Sequence, residues 1–125
     1  MTSQTIFCSH RLIKKSDWNN LKNMPVNTTT FVMAHCYSSE EMELIKQGYK
    51  PTCMEQKWFI YFEDNKLYFH RSWSGNCIYI LDFSKTGQIT VTANKEFRHN
   101  MLEYWSAEEE IKWLIHYWLI KMNSD

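Results

Sequence analysis

Between Lys57 and Asn94 apolar and polar positions follow the period of two expected of strands, and turn residues punctuate the run. The pattern predicts strands over Lys57–Glu63 and Lys66–Trp73 around Asp64-Asn65. Two more follow, Asn76–Phe83 after Ser74-Gly75 and Gln88–Asn94 after Lys85-Thr86-Gly87. Asp and Asn tolerate the positive φ that a two-residue hairpin loop demands. Thr29–His35, β-branched and apolar, predicts one strand more.

Helical signals flank this meander. Ser16 is a candidate cap for a short helix over Asp17–Asn23, closed by Pro25. Ser38 with Glu41 three residues on forms a capping box before Ser39–Gln47, whose apolar stripe is Met42, Leu44 and Ile45. Ser106 with Glu109 forms a second box, and Glu108, Glu109 and Glu110 suit the positive end of the helix dipole. From there Ile111, Leu114, Ile115, Trp118, Leu119 and Met122 recur at helical spacing, with Trp113, Tyr117 and Ile120 as a second stripe beside them. The predicted fold is a single α+β domain over residues 1–125. An antiparallel meander packs against the C-terminal helix and the short N-terminal helices.

If both tight turns are two-residue loops, Trp58 faces Arg71, Phe62 faces Leu67, Trp73 faces Asn76 and Arg71 faces Ile78. Alternation then puts Trp58, Ile60, Phe62, Leu67, Phe69, Arg71, Trp73, Asn76, Ile78 and Ile80 on one face, the one the last helix crosses. Lys57, Phe59, Tyr61, Tyr68, His70, Ser72, Cys77, Tyr79 and Leu81 fall on the other. Neither face is polar enough to stand in water, so both are expected to be covered.

Composition narrows the function classes. The 125 residues carry 14 Lys and Arg against 14 Asp and Glu, a net charge of zero. Binding to duplex nucleic acid is not expected without a basic excess. No uncharged apolar stretch approaches the length of a membrane span and no signal-peptide core is visible, so a cytoplasmic, membrane-free protein is expected. The four cysteines form no Cys-x-x-Cys pair and read as free thiols. Cys8-x-His10 and His35-Cys36 supply zinc-type donors but match no compact metal spacing, so no metal is assigned. Walker, dinucleotide and Gly-x-Ser-x-Gly signatures are missing, and no cofactor is expected.

Aromatic residues make up 16% of the chain, and the densest polar cluster lies among them: His70-Arg71-Ser72-Trp73-Ser74-Gly75-Asn76. Arg71 shares a face with apolar neighbours, and a desolvated guanidinium needs a partner. That partner is an internal carboxylate such as Glu55 or Asp82, the carbonyls at a helix C-terminus, or an anionic or planar ligand. In the ligand reading Arg71 meets a phosphate or carboxylate with its donor fork and Trp58 or Trp73 stacks on a base. His70, on the opposite face, is either a hydrogen-bonded core residue or an acid–base group. With Lys57, Tyr61, Tyr68 and Ser72 it would line a small-molecule pocket, which Thr90, Thr92 and Asn94 would extend. Arg98, in the link before the last helix, is a further candidate to close over an anion.

Lys57-Trp58-Phe59-Ile60-Tyr61-Phe62 followed by Phe69-His70-Arg71-Ser72-Trp73-Ser74-Gly75-Asn76-Cys77-Ile78-Tyr79 resembles a small domain family of bacteria and their phages. The recurrent core of that family is a KWF strand followed by FHRSW, then Ser or Thr, Gly, any residue and CIY. The resemblance spans about residues 55–94, and Lys95 stands where such proteins carry Arg. It implies that His70, Arg71, Trp73, Gly75 and Asn76 form a recurrent unit. The family's labels, drawn from DNA repair and ADP-ribose metabolism, suit a nucleotide ligand. The leading expectation is therefore a small-molecule-binding protein for a nucleotide or an ADP-ribose or NAD derivative, with sequestration of a signalling nucleotide, as in phage anti-defence, as its specific variant. One alternative is a hydrolase of such a derivative with His70 as acid–base group and Glu55 or Asp82 as carboxylate. The other is a self-associating module, a homo-oligomer joined through Trp113, Tyr117 and Ile120.

Overall fold

The computed structural model describes residues 12–98 and 106–124, without the side chains of Phe97 and Arg98. Five antiparallel strands form one sheet: β1 Thr28–Met33, β2 Trp58–Glu63, β3 Lys66–Arg71, β4 Cys77–Asp82 and β5 Ile89–Asn94. Their spatial order is β1-β5-β4-β3-β2. The last four strands are the expected meander, and β1 adds to its free end. Helix α1, Ser39–Gln47, lies between β1 at one edge and β2 at the other in sequence. The chain therefore crosses the sheet once, and the helix makes that crossing. A short α2, Lys95–Arg98, follows β5, and α3, Ala107–Leu114, continues as a π-helical stretch over Ile115–Lys121. The fold is α+β, as the patterning predicts.

Local chemistry fixes the ends of these elements. The amide of Glu41 donates to Ser38 Oγ at 3.0 Å, and Glu41 Oε1 accepts from the Ser38 amide at 2.8 Å. Ser106 and Glu109 repeat the box at α3. Asn123 at the end of the last helix donates to the carbonyls of Leu44 and Gly48, at 3.1 and 3.2 Å. These are carbonyls that the C-terminus of α1 cannot satisfy internally, so one amide side chain locks the two helices together.

Both helices cover one face of the sheet. Ile45, Ile111, Leu114, Ile115 and Leu119 pack with Ile60, Leu67, Phe69, Leu81 and Val91 in one cluster. Each side chain of this size contributes about 1.5–3 kcal/mol by leaving water. A polar strut crosses the layer, where the buried Tyr79 donates its hydroxyl to Glu110 in the first turn of α3.

The first hairpin has the expected register, with Trp58 opposite Arg71 and Glu63 opposite Lys66, and Asp64 and Asn65 sit at φ 53° and 62°. The second does not. Its connection is wider: Gly75 donates its amide to the Arg71 carbonyl and Arg71 donates to the Asn76 carbonyl, both at 2.9 Å. Opposite Phe69 stands Tyr79, opposite His70 stands Cys77, and Ile78 is the extra residue of a bulge. A bulge lets consecutive residues face one way. Ile78 and Tyr79 accordingly both join the helix-side cluster, as does Leu81, whereas Ile80, expected there, pairs with Tyr68 on the other face. Trp73, expected as a strand residue, lies in the turn and is 66% exposed.

Two other expectations are corrected. No helix spans Asp17–Asn23; a single 3-10 turn covers Lys15–Asp17, closed by the Lys14 amide donating to Asp17 at 2.8 Å rather than by Ser16. With one Trp and one Leu among polar residues, this stretch has no stripe to bury as a helix. It serves instead as a strap over the second face of the sheet, with Trp18 stacked on Phe59 at 5.5 Å. In the last helix Met122 is exposed, because the π-helical stretch takes more residues per turn and rotates it out of the stripe.

The strap sits where a side chain at Gly75 would be. A Cβ there would fall 1.8 Å from the carbonyl oxygen of Asn20, and Gly75 has φ +78°. Gly87 has φ +75° with open space around it. Gly87→Ala is therefore expected to cost about 1–2 kcal/mol, from the left-handed backbone alone. Gly75→Ala should cost about 3 kcal/mol or more, because overlap with backbone adds to the same strain. Denaturant unfolding of both variants decides, and equal losses would show that the strap does not rest on Gly75.

Candidate functional site

The turn Ser72–Asn76 separates two environments on opposite faces of β3. On the helix-side face Arg71 lies half-exposed over the indole of Trp58, its guanidinium carbon 5.2 Å from the ring centre. Arg71 makes no ion pair with a carboxylate among the described residues. Asp82, one of the two carboxylates considered for it, accepts instead from the amide and hydroxyl of Ser84. The ring therefore holds the guanidinium in place and leaves its donor fork unspent.

Beside Arg71 is a cavity of about 320 Å³ lined by Met54, Lys57, Arg71 and Trp73. Trp73 is fixed as its wall by donating Nε1–H to the Met54 carbonyl at 3.2 Å. The floor is tied down as well: Ser72 donates its amide to the Lys57 carbonyl at 2.8 Å and its hydroxyl to the Gln56 carbonyl at 3.1 Å. Two cations and an exposed indole thus converge on one hollow built on hydrogen-bonded backbone. A larger hollow, about 720 Å³, lies along the strap between Lys14 and Phe62, but exposed lysines and other strap residues make up most of it.

On the opposite face His70 is 3% exposed. Its Nδ1 lies 2.9 Å from the Gly75 carbonyl, which can only accept, so Nδ1 carries the proton and Nε2 the lone pair. Nε2 is buried and has no hydrogen-bond partner among the described residues. Tyr61 stacks on the ring at 5.8 Å, and Tyr61 stacks on Tyr68 at 4.6 Å. Burial holds the imidazole below its ordinary pKa, opposed by the Gly75 hydrogen bond and aided by the nearby charge of Lys15. The adjacent Cys77 thiol is pushed up to about 12 by burial, which removes it as a nucleophile.

The strap grips the same turn from outside. Trp18 donates Nε1–H to the Ser72 carbonyl at 2.9 Å, Asn20 donates to that of Trp73 at 3.1 Å, and Lys22 donates its amide to that of Gly75 at 2.9 Å.

Of the residues singled out in the sequence, Arg71 and Trp73 line the cavity, and Trp58 lies buried beneath Arg71 rather than in the lining. Ser74 and Gly75 shape the turn, Ser74 accepting from the Asn76 amide at 3.2 Å. Asn76 closes the turn with its carbonyl. His70 faces away from this cavity. Arg98 ends α2, its side chain outside the described residues. Asn94 is structural: it donates to the Cys77 carbonyl at 2.8 Å and accepts from the Glu96 amide. Trp113 and Tyr117 stack on each other at 5.2 Å, and Ile120 packs partly buried against the core. Cys8 and His10 lie outside the described residues, and no group of three metal donors occurs within them. Lys57, expected in a cleft with His70, lines the Arg71 cavity, and Met54 has no signal in the sequence pattern, because only the second turn brings Trp73 back over the 54–57 loop.

In comparisons with family models, curated proteins and solved structures, the chain has no significant match. The fold defines it as a two-layer α+β protein, and the likeness of its central hairpin to the small bacterial and phage domains stays a resemblance. No helix among the described residues is long and apolar enough to cross a membrane.

His70 yields a pH dependence whose sign follows from its environment. A folded-state pKa below the ordinary 6.5 means that its stabilisation is complete above that pH and is lost as pH falls toward the lower folded value. The melting temperature should therefore drop as the pH is lowered from 7.5 to 5, and the drop should shrink in His70→Gln. A wild-type profile flat over that range, or one unchanged in the variant, would contradict the neutral buried imidazole.

Proposed function

We propose that this protein binds a small anionic ligand with a planar base, of the nucleotide or ADP-ribose and NAD-derived class, at the Arg71 cavity. The observation that carries the reading is the Arg71 guanidinium held over Trp58 at 5.2 Å with no carboxylate paired to it among the described residues, beside Lys57 and Trp73. Guanidinium and ammonium groups meet phosphate oxygens, and an indole supplies a stacking plane at little entropic cost. The volume lies at the small end of ligand pockets and suits one nucleoside phosphate unit. A net charge of zero makes a free nucleotide a better match than a duplex. Sequestration of a signalling nucleotide is the use of such a site that requires no catalytic group.

Hydrolysis has less support. His70 lies across β3 from the cavity, and Glu55 is exposed with no structural tie to Arg71. Self-association through Trp113, Tyr117 and Ile120 also has less, because Ile120 turns partly into the core and Lys121 covers Tyr117 at 5.6 Å.

The test is a thermal-shift panel of ADP-ribose, NAD, nucleoside monophosphates and cyclic dinucleotides. A ligand at a hundred times its dissociation constant adds about 2.7 kcal/mol, several degrees for a domain of this size. Arg71→Ala should abolish the shift while losing only about 0.5–1 kcal/mol of its own stability, the worth of one exposed cation–π contact. No shift from any member of the panel, or a shift that survives Arg71→Ala, would overturn the assignment.

A further inference from the structure

The two edges of the sheet are treated differently. At β2 the outer edge is occupied: Tyr49 and Ile60 exchange both backbone hydrogen bonds, at 2.8 and 2.9 Å. At β1 nothing among the described residues pairs with the outer edge. Its six residues, Thr-Thr-Thr-Phe-Val-Met, include no charge, Pro or Gly, and the strand has no bulge against β5. Those are the devices by which solvent-facing edges are kept from pairing.

The parity of the free edge can be read directly. The Lys95 amide donates to the Asn27 carbonyl at 3.1 Å, so Asn27 and Lys95 form a hydrogen-bonded pair that continues the register of β1 with β5. Alternation then turns Thr29, Phe31 and Met33 toward β5 with their backbone groups and leaves those of Thr28, Thr30 and Val32 facing outward. The outward set is symmetric about Thr30. On the helix side Met33 is fully buried and Phe31 packs partly buried against the core, so the apolar layer runs up to the edge. On the other side Val32 is 53% exposed.

We infer that β1 pairs antiparallel with β1 of a second copy of this chain, about a twofold axis through Thr30, making one sheet continuous across the dimer. In that register Thr30 meets Thr30 of the copy and Thr28 meets Val32, which uses all three outward-facing residues of each strand. Phe31 meets Thr29 on the helix side, so the two cores join without placing like charges opposite each other. The surface is separate from both the Arg71 cavity and the Trp113–Tyr117 pair.

The experiment is sedimentation of the full chain with charge exchange at Thr30, an exposed position whose substitution leaves the protomer's core untouched. The wild type should sediment at twice the 15.2 kDa monomer mass. Thr30→Lys and Thr30→Glu should each sediment as folded monomers, since each places like charges face to face on the axis. An equimolar mixture of the two variants should regain the dimer. A monomeric wild type, a dimer that persists in both variants, or a mixture of folded variants that stays monomeric would each overturn the inference.

Discussion

The carbonyl of Gly75 is where the two sides of this structure meet. It accepts from His70 on the buried aromatic face and from the Lys22 amide of the strap, and the missing side chain of the same residue admits the Asn20 backbone. Ser72 and Trp73 offer their carbonyls to Trp18 and Asn20 in the same way. Backbone carbonyls that a wide turn leaves without sheet partners are thereby satisfied by a segment with no regular structure of its own. That segment gains order by stacking Trp18 on Phe59, and the turn gains a fixed shape.

The shape of the turn decides what Arg71 does. A two-residue loop would have carried Trp73 along the strand beside Arg71 on the helix-side face. The wider connection and its bulge swing Trp73 back over the 54–57 loop, where its indole N–H finds the Met54 carbonyl. Arg71 is left between one indole beneath it and another at the side, with Lys57 as second cation. Its charge stays half in water, so it escapes the desolvation cost that would have demanded an internal carboxylate. Coulomb attraction is then available to the proposed ligand rather than already spent on a carboxylate among the described residues.

Much of the fold was legible because its signals are local. Asp64-Asn65 dictates the first hairpin through backbone dihedrals, and Ser38 with Glu41 and Ser106 with Glu109 announce two helices within four residues each. The second turn was not legible. Ser74-Gly75 looks like a two-residue loop, while Cys77-Ile78-Tyr79-Ile80-Leu81 is apolar throughout and cannot report which residues face the helices. The strap was missed for a related reason: its hydrogen bonds go to carbonyls more than fifty residues away. At the site, residue types gave Arg71, Trp58 and Trp73, but alternation puts Lys57 on the His70 face, and its place beside Arg71 depends on tertiary return of the chain. The Nε2 of His70, without a hydrogen-bond partner among the described residues, likewise has no sequence signature, being the product of a bulge, a stacked tyrosine and a carbonyl five residues on.

In the proposed site Trp73 borders the ligand and Trp58 backs the guanidinium that meets its phosphate. Titration of a nucleoside phosphate such as AMP, followed through assigned tryptophan indole N–H resonances, would read this directly. Trp58 and Trp73 should shift in a saturable way, while Trp113, on the last helix, and Trp18, stacked on Phe59 in the strap, stay in place. Shifts centred on Trp18 or Trp113, or no saturable shift at any indole, would contradict a ligand site built around Arg71.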